Sequence, residues 1–372
     1  MVQQIKYPIS RPYLTEFERQ NVIDAYDSSW ISSTGKYIDL FEQNFSKYIG
    51  SKFGVAMSNG TTAIHIALEV LNIGKDDEVI VPDLTFAATI NAVLHAGAKP
   101  VIVDINKENW CISPESIEKA ITSKTKAIIP VHLYGMPCEM DRIMDISKKY
   151  GLYVIEDCAE AHGASFKEKK VGSIGHIGCF SFFANKIITT GEGGMCVTND
   201  ENIMKKLRIL RDHGMSKEKK YFHEEIGYNY RMTNIQAAIG VAQLDRIEQI
   251  LLERDTISKL YKTYLQGIEE ISTQPACKEG KNVNWLFPLT IEINYRDTLM
   301  EKLKEHGIDS RAFFYPLSRM PIYKEYSKDI SESLKVSLKG FNLPTYIGLT
   351  EGDINEIVKS IRSILHEIRC ER

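Results

Sequence analysis

The chain has 372 residues, of which 43% are hydrophobic and 26% are charged, and its formal net charge is −3. This composition is typical of a globular protein with a sizeable core, and the near balance of charge offers no broad basic surface for nucleic acid or a membrane. The seven scattered cysteines include no Cys-x-x-Cys pair, which argues against a disulfide framework and a zinc site. Because no segment has the apolar length of a signal peptide or a membrane span, we expect a cytoplasmic protein.

The first two-thirds of the chain alternates between strand-like and helix-like patterns. Stretches such as 113–122 and 139–150 predict helices between short apolar segments. Strands that are apolar on both faces and separated by helices are typical of a mostly parallel sheet covered on both sides. The predicted strands are 53–58, 78–83, 100–105, 126–133, 152–157, 178–183 and 194–199.

From about residue 234 the pattern changes. A long amphipathic helix is predicted over 234–267, followed by a strand near 285–293 and by helices near 296–306 and 353–369. This order indicates a smaller α+β domain. We therefore expect an α/β protein with a large domain over residues 1–240, which includes an N-terminal arm, and a small C-terminal domain over 241–372.

Polar residues follow the predicted strands at the edge where parallel sheets bind ligands, beyond the carboxyl ends of the strands. The first group, Ser58-Asn59-Gly60-Thr61-Thr62, lies between a strand and a helix. Gly60 permits a tight turn, and the free amides at the start of the helix suit a phosphate. The alternative is an ordinary helix cap by Ser58 or Thr61.

A second polar group ends the strand at 152–157. A carboxylate such as that of Asp157 at the mouth of a buried strand is costly unless it meets a cation or hydrogen-bond donors. The protonated nitrogen of a pyridine cofactor is one such cation. The alternative is that Asp157 caps the next helix.

A third group centres on Lys186, which follows the aromatic strand at 178–183 and precedes a glycine-rich return. A lysine in a loop is usually a solvated charge, but desolvation beside such a strand lowers its pKa and frees the amine for Schiff-base formation. Ser181 could offer its hydroxyl to the same phosphate. Further along, Asn229 and Arg231 either pack and carry surface charge or reach a phosphate.

The order of these groups resembles that in the DegT/DnrJ/EryC1/StrS family of sugar aminotransferases, which use pyridoxal 5′-phosphate (PLP). The similarity covers nearly the whole chain and is carried by the segments SNGTTAIHIAL, VPDLTFAATINAV, IEDCAEAHGA, GCFSFFANKIITTGEGGM and GYNYRMTNIQAAIG. The resemblance implies the aspartate-aminotransferase-like fold of fold type I PLP enzymes, with a mixed, mostly parallel sheet in the large domain.

The resemblance also implies a role for each matching position around the cofactor. Lys186 would form a Schiff base with PLP and later act as the general base. Asp157 would pair with the pyridine nitrogen, and Phe86 would lie against the ring. Glu160 stands where many members carry Gln near the phenolic oxygen of the cofactor.

The cofactor phosphate would be held by residues from two chains. Gly60, Thr61 and Ser181 would bind it within one subunit, and Asn229 would reach the phosphate of the neighbouring subunit. The resemblance therefore implies a homodimer with composite active sites.

The implied substrates are L-glutamate and a nucleotide-linked sugar. Segments WISSTGKYI, VHLYGMPCEMD and IGYNYRMTN most resemble members that aminate C4 of GDP-4-keto-6-deoxy-D-mannose, a reaction of surface-polysaccharide synthesis such as that of O-antigen or capsule. Ser318 departs from the pattern, because such enzymes often carry His after Tyr-Pro-Leu or Tyr-Pro-Val. UDP- or dTDP-linked keto sugars, a keto-acid sugar and smaller keto-phosphates therefore stay open.

Four residues are candidate substrate contacts, and for the two later arginines the alternative is an ordinary surface position: Arg231, Tyr315, Arg311 and Arg319. Some family members replace the lysine by histidine and act as sugar dehydratases, so Lys186 favours an aminotransferase over a dehydratase. A non-catalytic protein that keeps the fold would be expected to have a damaged site, whereas each cofactor position here is chemically competent.

Overall fold

The computed structural model describes residues 5–216, 218–327 and 330–370. Its helices are α1 (Glu16–Asp27), α2 (Lys36–Ile49), α3 (Gly60–Val70), α4 (Ala88–His95), α5 (Pro114–Ala120), α6 (Met140–Tyr150), α7 (Glu201–Leu210), α8 (Asn234–Asp245), α9 (Ile247–Tyr264), α10 (Ile293–Glu305), α11 (Glu332–Lys339) and α12 (Glu351–Cys370). Its strands are β1 (Phe53–Met57), β2 (Glu78–Pro82), β3 (Lys99–Val103), β4 (Thr125–Ile128), β5 (Tyr153–Asp157), β6 (Ser165–Phe166), β7 (Lys169–Lys170), β8 (Ile177–Ser181), β9 (Gly194–Thr198), β10 (Ile271–Thr273), β11 (Gly280–Lys281), β12 (Phe287–Ile291), β13 (Arg311–Ala312) and β14 (Gly340–Leu343).

A seven-stranded sheet occupies the first part of the chain, with the strand order β1-β9-β8-β5-β4-β2-β3. Strand β9 runs antiparallel to both of its neighbours, and the other paired strands are parallel. Strands β2, β8 and β9 are buried along their whole length, as expected for a sheet with helices on both faces. The mixed, mostly parallel sheet predicted from the sequence is confirmed.

A second, antiparallel sheet lies in the C-terminal part, with the order β10-β12-β14-β13. Apolar side chains of α9, α10 and α12 pack with it into a separate core. The N-terminal segment also joins this core, because Tyr7 is buried there and its backbone bonds to Gly307. The predicted boundary at residue 240 falls inside α8, and the division into two domains stays a prediction.

The long helix predicted over 234–267 is two helices, α8 and α9, separated at Arg246. Arg246 has φ −110° and ψ 9°, outside the helical region. Its guanidinium pairs with the buried carboxylate of Glu18 in α1. The break coincides with this contact, which joins residues more than 200 positions apart, so the hydrophobic period alone could not indicate it.

Among the residues that the structure describes, no helix is both long and apolar enough to cross a membrane.

The buried carboxylate of Glu156 fixes the sheet directly behind the polar edge. Glu156 lies in β5 and accepts hydrogen bonds from the amides of Gly172 at 2.8 Å, Ile174 at 2.8 Å and Gly175 at 2.6 Å. His132 contacts the same carboxylate at 3.0 Å and accepts from the Cys138 amide. Both carboxylate oxygens are therefore occupied by protein groups, which gives Glu156 a structural role.

We predict that Glu156→Ala lowers the free energy of unfolding by about 3 kcal/mol or more, because three backbone amides and His132 lose their acceptor. Urea denaturation of variant and wild type measures the difference. Glu118→Ala is the control, because its exposed carboxylate pairs only at the surface. A Glu156→Ala protein as stable as the control would contradict the structural role.

Candidate active site

A cavity of about 720 Å³ opens at the carboxyl ends of the central strands. Eight of the residues that the sequence singled out line it together: Gly60, Thr61, Phe86, Asp157, Glu160, Ser181, Lys186 and Arg311. The position agrees with the rule that open α/β sheets bind ligands at this edge.

One end of the cavity is the start of helix α3. Asn59 caps the helix by accepting from the Thr62 amide at 2.9 Å. Within the described ranges, the Gly60 and Thr61 amides donate to no protein acceptor. A Cβ on Gly60 would lie 2.7 Å from that of Ser181, so glycine lets the Ser181 hydroxyl approach the helix start. Two free amides, a hydroxyl and the helix dipole fit a phosphate group.

The carboxylate of Asp157 lies deeper in the cavity, at the end of β5. It accepts hydrogen bonds from the Thr89 hydroxyl at 2.8 Å and from the Ala159 amide at 3.1 Å. Burial raises the pKa of Asp157, and the two hydrogen bonds oppose that rise. In the part of the chain that the structure describes, no cation lies within hydrogen-bond distance of this carboxylate, so its position fits a protonated ring nitrogen.

The amine of Lys186 lies between a carboxylate and an aromatic ring. Its Nζ is 3.8 Å from Oε1 of Glu160 and 4.2 Å from the ring centroid of Trp285. Burial lowers the pKa of Lys186, while the charges of Glu160 and Asp157 act in the opposite direction. The Lys186 amine is therefore easier to deprotonate than a solvated lysine and lies close to groups that can accept its proton.

Glu160 titrates close to neutral pH. Its Oε2 accepts a hydrogen bond from the Tyr134 amide at 2.8 Å. Burial raises the pKa of Glu160 to about 7, and the nearby Lys186 limits the rise. A glutamine at this position could not change its charge, so the carboxylate adds a titrating group beside the lysine.

The remaining predicted residues lie outside the cavity of this chain. Asn229 and Tyr315 are exposed, and the Arg231 guanidinium pairs with Asp212. Arg319 is exposed in a different, open depression. The roles of these residues stay predictions, and that of Asn229 concerns the neighbouring subunit.

Several cavity residues were not indicated by the sequence. Trp285 covers the Lys186 amine, and its indole nitrogen donates to the Asn185 carbonyl at 2.7 Å. Thr89 holds Asp157, and Phe314 packs against Phe86 with ring centroids 5.8 Å apart. Thr89 is one of three polar residues of α4, with Asn91 and His95, so the sequence did not single it out.

Residues 12–362 match the DegT/DnrJ/EryC1/StrS aminotransferase family. The chain belongs to this family. It is therefore a PLP-dependent sugar aminotransferase of fold type I, as the resemblance implied, and the cavity groups described above fit this cofactor.

Two relatives with functional names match this aminotransferase over most of its length. It is 43% identical to the GDP-perosamine synthase of Caulobacter vibrioides, across 96% of this chain and 98% of the relative. It is 40% identical to the GDP-perosamine synthase of Vibrio cholerae, with the same coverage. Among solved structures, an aminotransferase from Psychrobacter cryohalolentis superposes with a TM-score of 0.91 at 32% identity, covering 97% of this chain and 100% of that one.

We predict that Asp157→Asn weakens PLP binding at least tenfold and lowers the turnover of the aminotransferase about 100-fold or more. The amide keeps the shape of the side chain but removes the charge that would pair with the ring nitrogen. Cofactor absorbance during titration measures binding, and steady-state assays measure turnover. Asp141→Asn, a change in a surface ion pair, should leave both unchanged. Wild-type affinity and turnover in Asp157→Asn would contradict the pairing.

We predict that Glu160→Gln lowers the pKa of the Lys186 amine in the cofactor-free protein. Above about pH 7 the charged carboxylate of Glu160 favours the ammonium form of Lys186, and the neutral amide removes this effect. Because the free amine attacks PLP, the rate constant of PLP addition should reach half of its plateau at a lower pH in the variant. No shift would show that Glu160 does not control the pKa of Lys186, and a shift to higher pH would contradict the predicted direction of its effect.

Proposed function

We propose that the protein transfers the amino group of L-glutamate to C4 of a nucleotide-linked 4-keto-6-deoxy sugar, namely GDP-4-keto-6-deoxy-D-mannose, and so forms GDP-perosamine. The observation that carries the transamination is Lys186, whose largely buried amine lies within 4 Å of a carboxylate and lines the same cavity as Asp157. The names and identity levels of the Caulobacter and Vibrio relatives support the sugar substrate.

PLP, when bound, supplies the electron sink on which an amino group can be exchanged between two substrates. In the proposed mechanism the amine of Lys186 would take a proton from the bound substrate and give it up again, acting as general base and general acid. Asp157 would stabilise the positive charge of the pyridine nitrogen. Gly60, Thr61 and Ser181 would hold the phosphate and so keep the cofactor oriented.

The substrate side of the cavity carries Arg311. Among the predicted substrate contacts, Arg311 is the cationic residue that lines the cavity. We therefore propose that its guanidinium binds an anionic group of the substrate. Ser318, the residue that departs from the family pattern, does not line the cavity, and its hydroxyl donates to Asp83. The departure therefore carries little weight against a GDP-linked sugar.

A homodimer is part of the proposal. The residues from just before α1 to the segment before α2 expose large apolar side chains, which a second copy of the chain would cover: Leu14, Phe17, Ile23, Tyr26, Trp30 and Ile31. The exposed Asn229 would then reach the neighbouring active site. We place the reaction in the cytoplasm, as expected from the sequence.

The substrate is tested by mass spectrometry of reactions with PLP and L-glutamate. Parallel reactions contain GDP-4-keto-6-deoxy-D-mannose and the UDP- and dTDP-linked 4-keto sugars. We expect a GDP-linked product with an amino group in place of the keto oxygen, and no such product with Lys186→Ala. Amination of only a UDP- or dTDP-linked sugar would contradict the GDP substrate, and a deoxygenated product without amination would indicate a dehydratase.

The composite site is tested with hybrid dimers of Lys186→Ala and Asn229→Asp chains, co-expressed with different tags. If Asn229 serves the neighbouring site, one site of the hybrid receives both substitutions and the other receives none. We then expect about half of the wild-type activity, although each variant alone is severely impaired because the added carboxylate repels the phosphate. An inactive hybrid would place Asn229 in the site of its own chain.

A further inference from the structure

The side chain of Ser318 is bound to a buried carboxylate outside the cofactor cavity. The backbone amide of Ser318 donates to Oδ1 of Asp83 at 2.7 Å, and the Ser318 hydroxyl donates to Oδ2 at 2.9 Å. The hydroxyl of Ser333 also donates to Oδ2 of Asp83. Asp83 and Ser333 are completely buried. We call Asp83, Ser318 and Ser333 the Asp83 latch.

The latch joins three segments that are distant in sequence. Asp83 directly follows β2, Ser318 belongs to the segment after β13, and Ser333 lies in the first turn of α11. The start of α11 is itself fixed, because Asp104 accepts from the amides of Ser331, Glu332 and Ser333 at 2.9 to 3.0 Å. The position of Ser333 is therefore fixed by the backbone of α11, and the carboxylate of Asp83 connects the segments that carry Ser318 and Ser333.

Two aromatic residues of the cavity lie on the segments that Asp83 connects. Phe86 lies three residues after Asp83, and Phe314 lies four residues before Ser318. Both line the cavity, and their rings pack with centroids 5.8 Å apart at an interplanar angle of 51°. The segment that bears Phe314 is held at its other end by the pairing of β13 with β14. The hydrogen bonds from Ser318 to Asp83 thus fix the second end of this segment.

We propose that the Asp83 latch positions the Phe86–Phe314 pair as one wall of the active site, and that Ser318 is a positioning residue for both substrates of the reaction. In a transamination the amino donor and the keto acceptor occupy the same cavity in turn, so a displaced wall weakens the binding of each. The inference rests on the aminotransferase activity, and its amino-donor test rests on the proposed use of L-glutamate but not on the proposed nucleotide sugar.

A purely structural role makes a different prediction from a positioning role. Loss of a buried hydrogen bond lowers the stability of the protein in either case. A positioning role also raises the apparent dissociation constant of the substrate, while the limiting rate stays close to that of the wild type, because Lys186 and Asp157 are untouched.

The test is the single-turnover reaction of the PLP-saturated enzyme with L-glutamate, followed by cofactor absorbance. For Ser318→Ala we expect an apparent dissociation constant for L-glutamate about tenfold above that of the wild type, with a limiting rate within about twofold. Ser318→Thr keeps the hydroxyl and should restore near wild-type binding. Ser331→Ala is the matched control, because this exposed serine bonds to Asp104 through its amide alone.

Wild-type binding of L-glutamate by Ser318→Ala, with only a lower melting temperature, would overturn the proposal. If Ser318→Ala fails to fold, Ser333→Ala is measured in the same way, with the same expected tenfold change and the same refuting result. A wild-type enzyme that does not react with L-glutamate would refute the proposed amino donor instead. The latch is then measured with the amino donor that the enzyme accepts.

Discussion

The proposed chemistry requires an uncharged amine and a charged carboxylate within one cavity. Burial alone lowers the pKa of Lys186 and raises those of Asp157 and Glu160, which suits the amine and opposes the carboxylates. Two hydrogen-bond donors partly offset the cost of burying the charged carboxylate of Asp157, and a cationic cofactor nitrogen would offset the rest. Glu160 accepts a hydrogen bond from one backbone amide, that of Tyr134, and burial raises its pKa to about 7. These opposite demands explain why the two carboxylates have different surroundings.

The sheet satisfies this constraint by bringing strand ends to one edge. Asp157 ends β5 and Ser181 ends its parallel neighbour β8, while Gly60 follows β1 at the start of a helix. The polar cavity therefore lies on a frame of buried strands, and Glu156 fixes that frame one residue before Asp157. The antiparallel C-terminal part supplies the opposite side of the cavity through Trp285, Arg311 and Phe314.

The sequence predicted those features that depend on local pattern and missed those that depend on distant partners. Two-sided apolar strands and the chain order of Gly60, Asp157 and Lys186 indicated the sheet and the cofactor groups. The break at Arg246 coincides with a contact to Glu18, and Ser318 is hydrogen-bonded to Asp83, so neither feature could be derived from neighbouring residues. Trp285 was assigned only to a strand, because nothing adjacent in the sequence shows that it covers Lys186.

The central claim is that PLP is bound covalently by Lys186 in this cavity. Borohydride reduction of the PLP-saturated protein, followed by proteolysis and peptide mass spectrometry, tests it most directly. The account predicts that the mass of the reduced cofactor is found on the peptide that contains Lys186 and that Lys186→Ala yields no specifically labelled peptide. Stoichiometric labelling of another lysine, with Lys186 unmodified, would contradict the account.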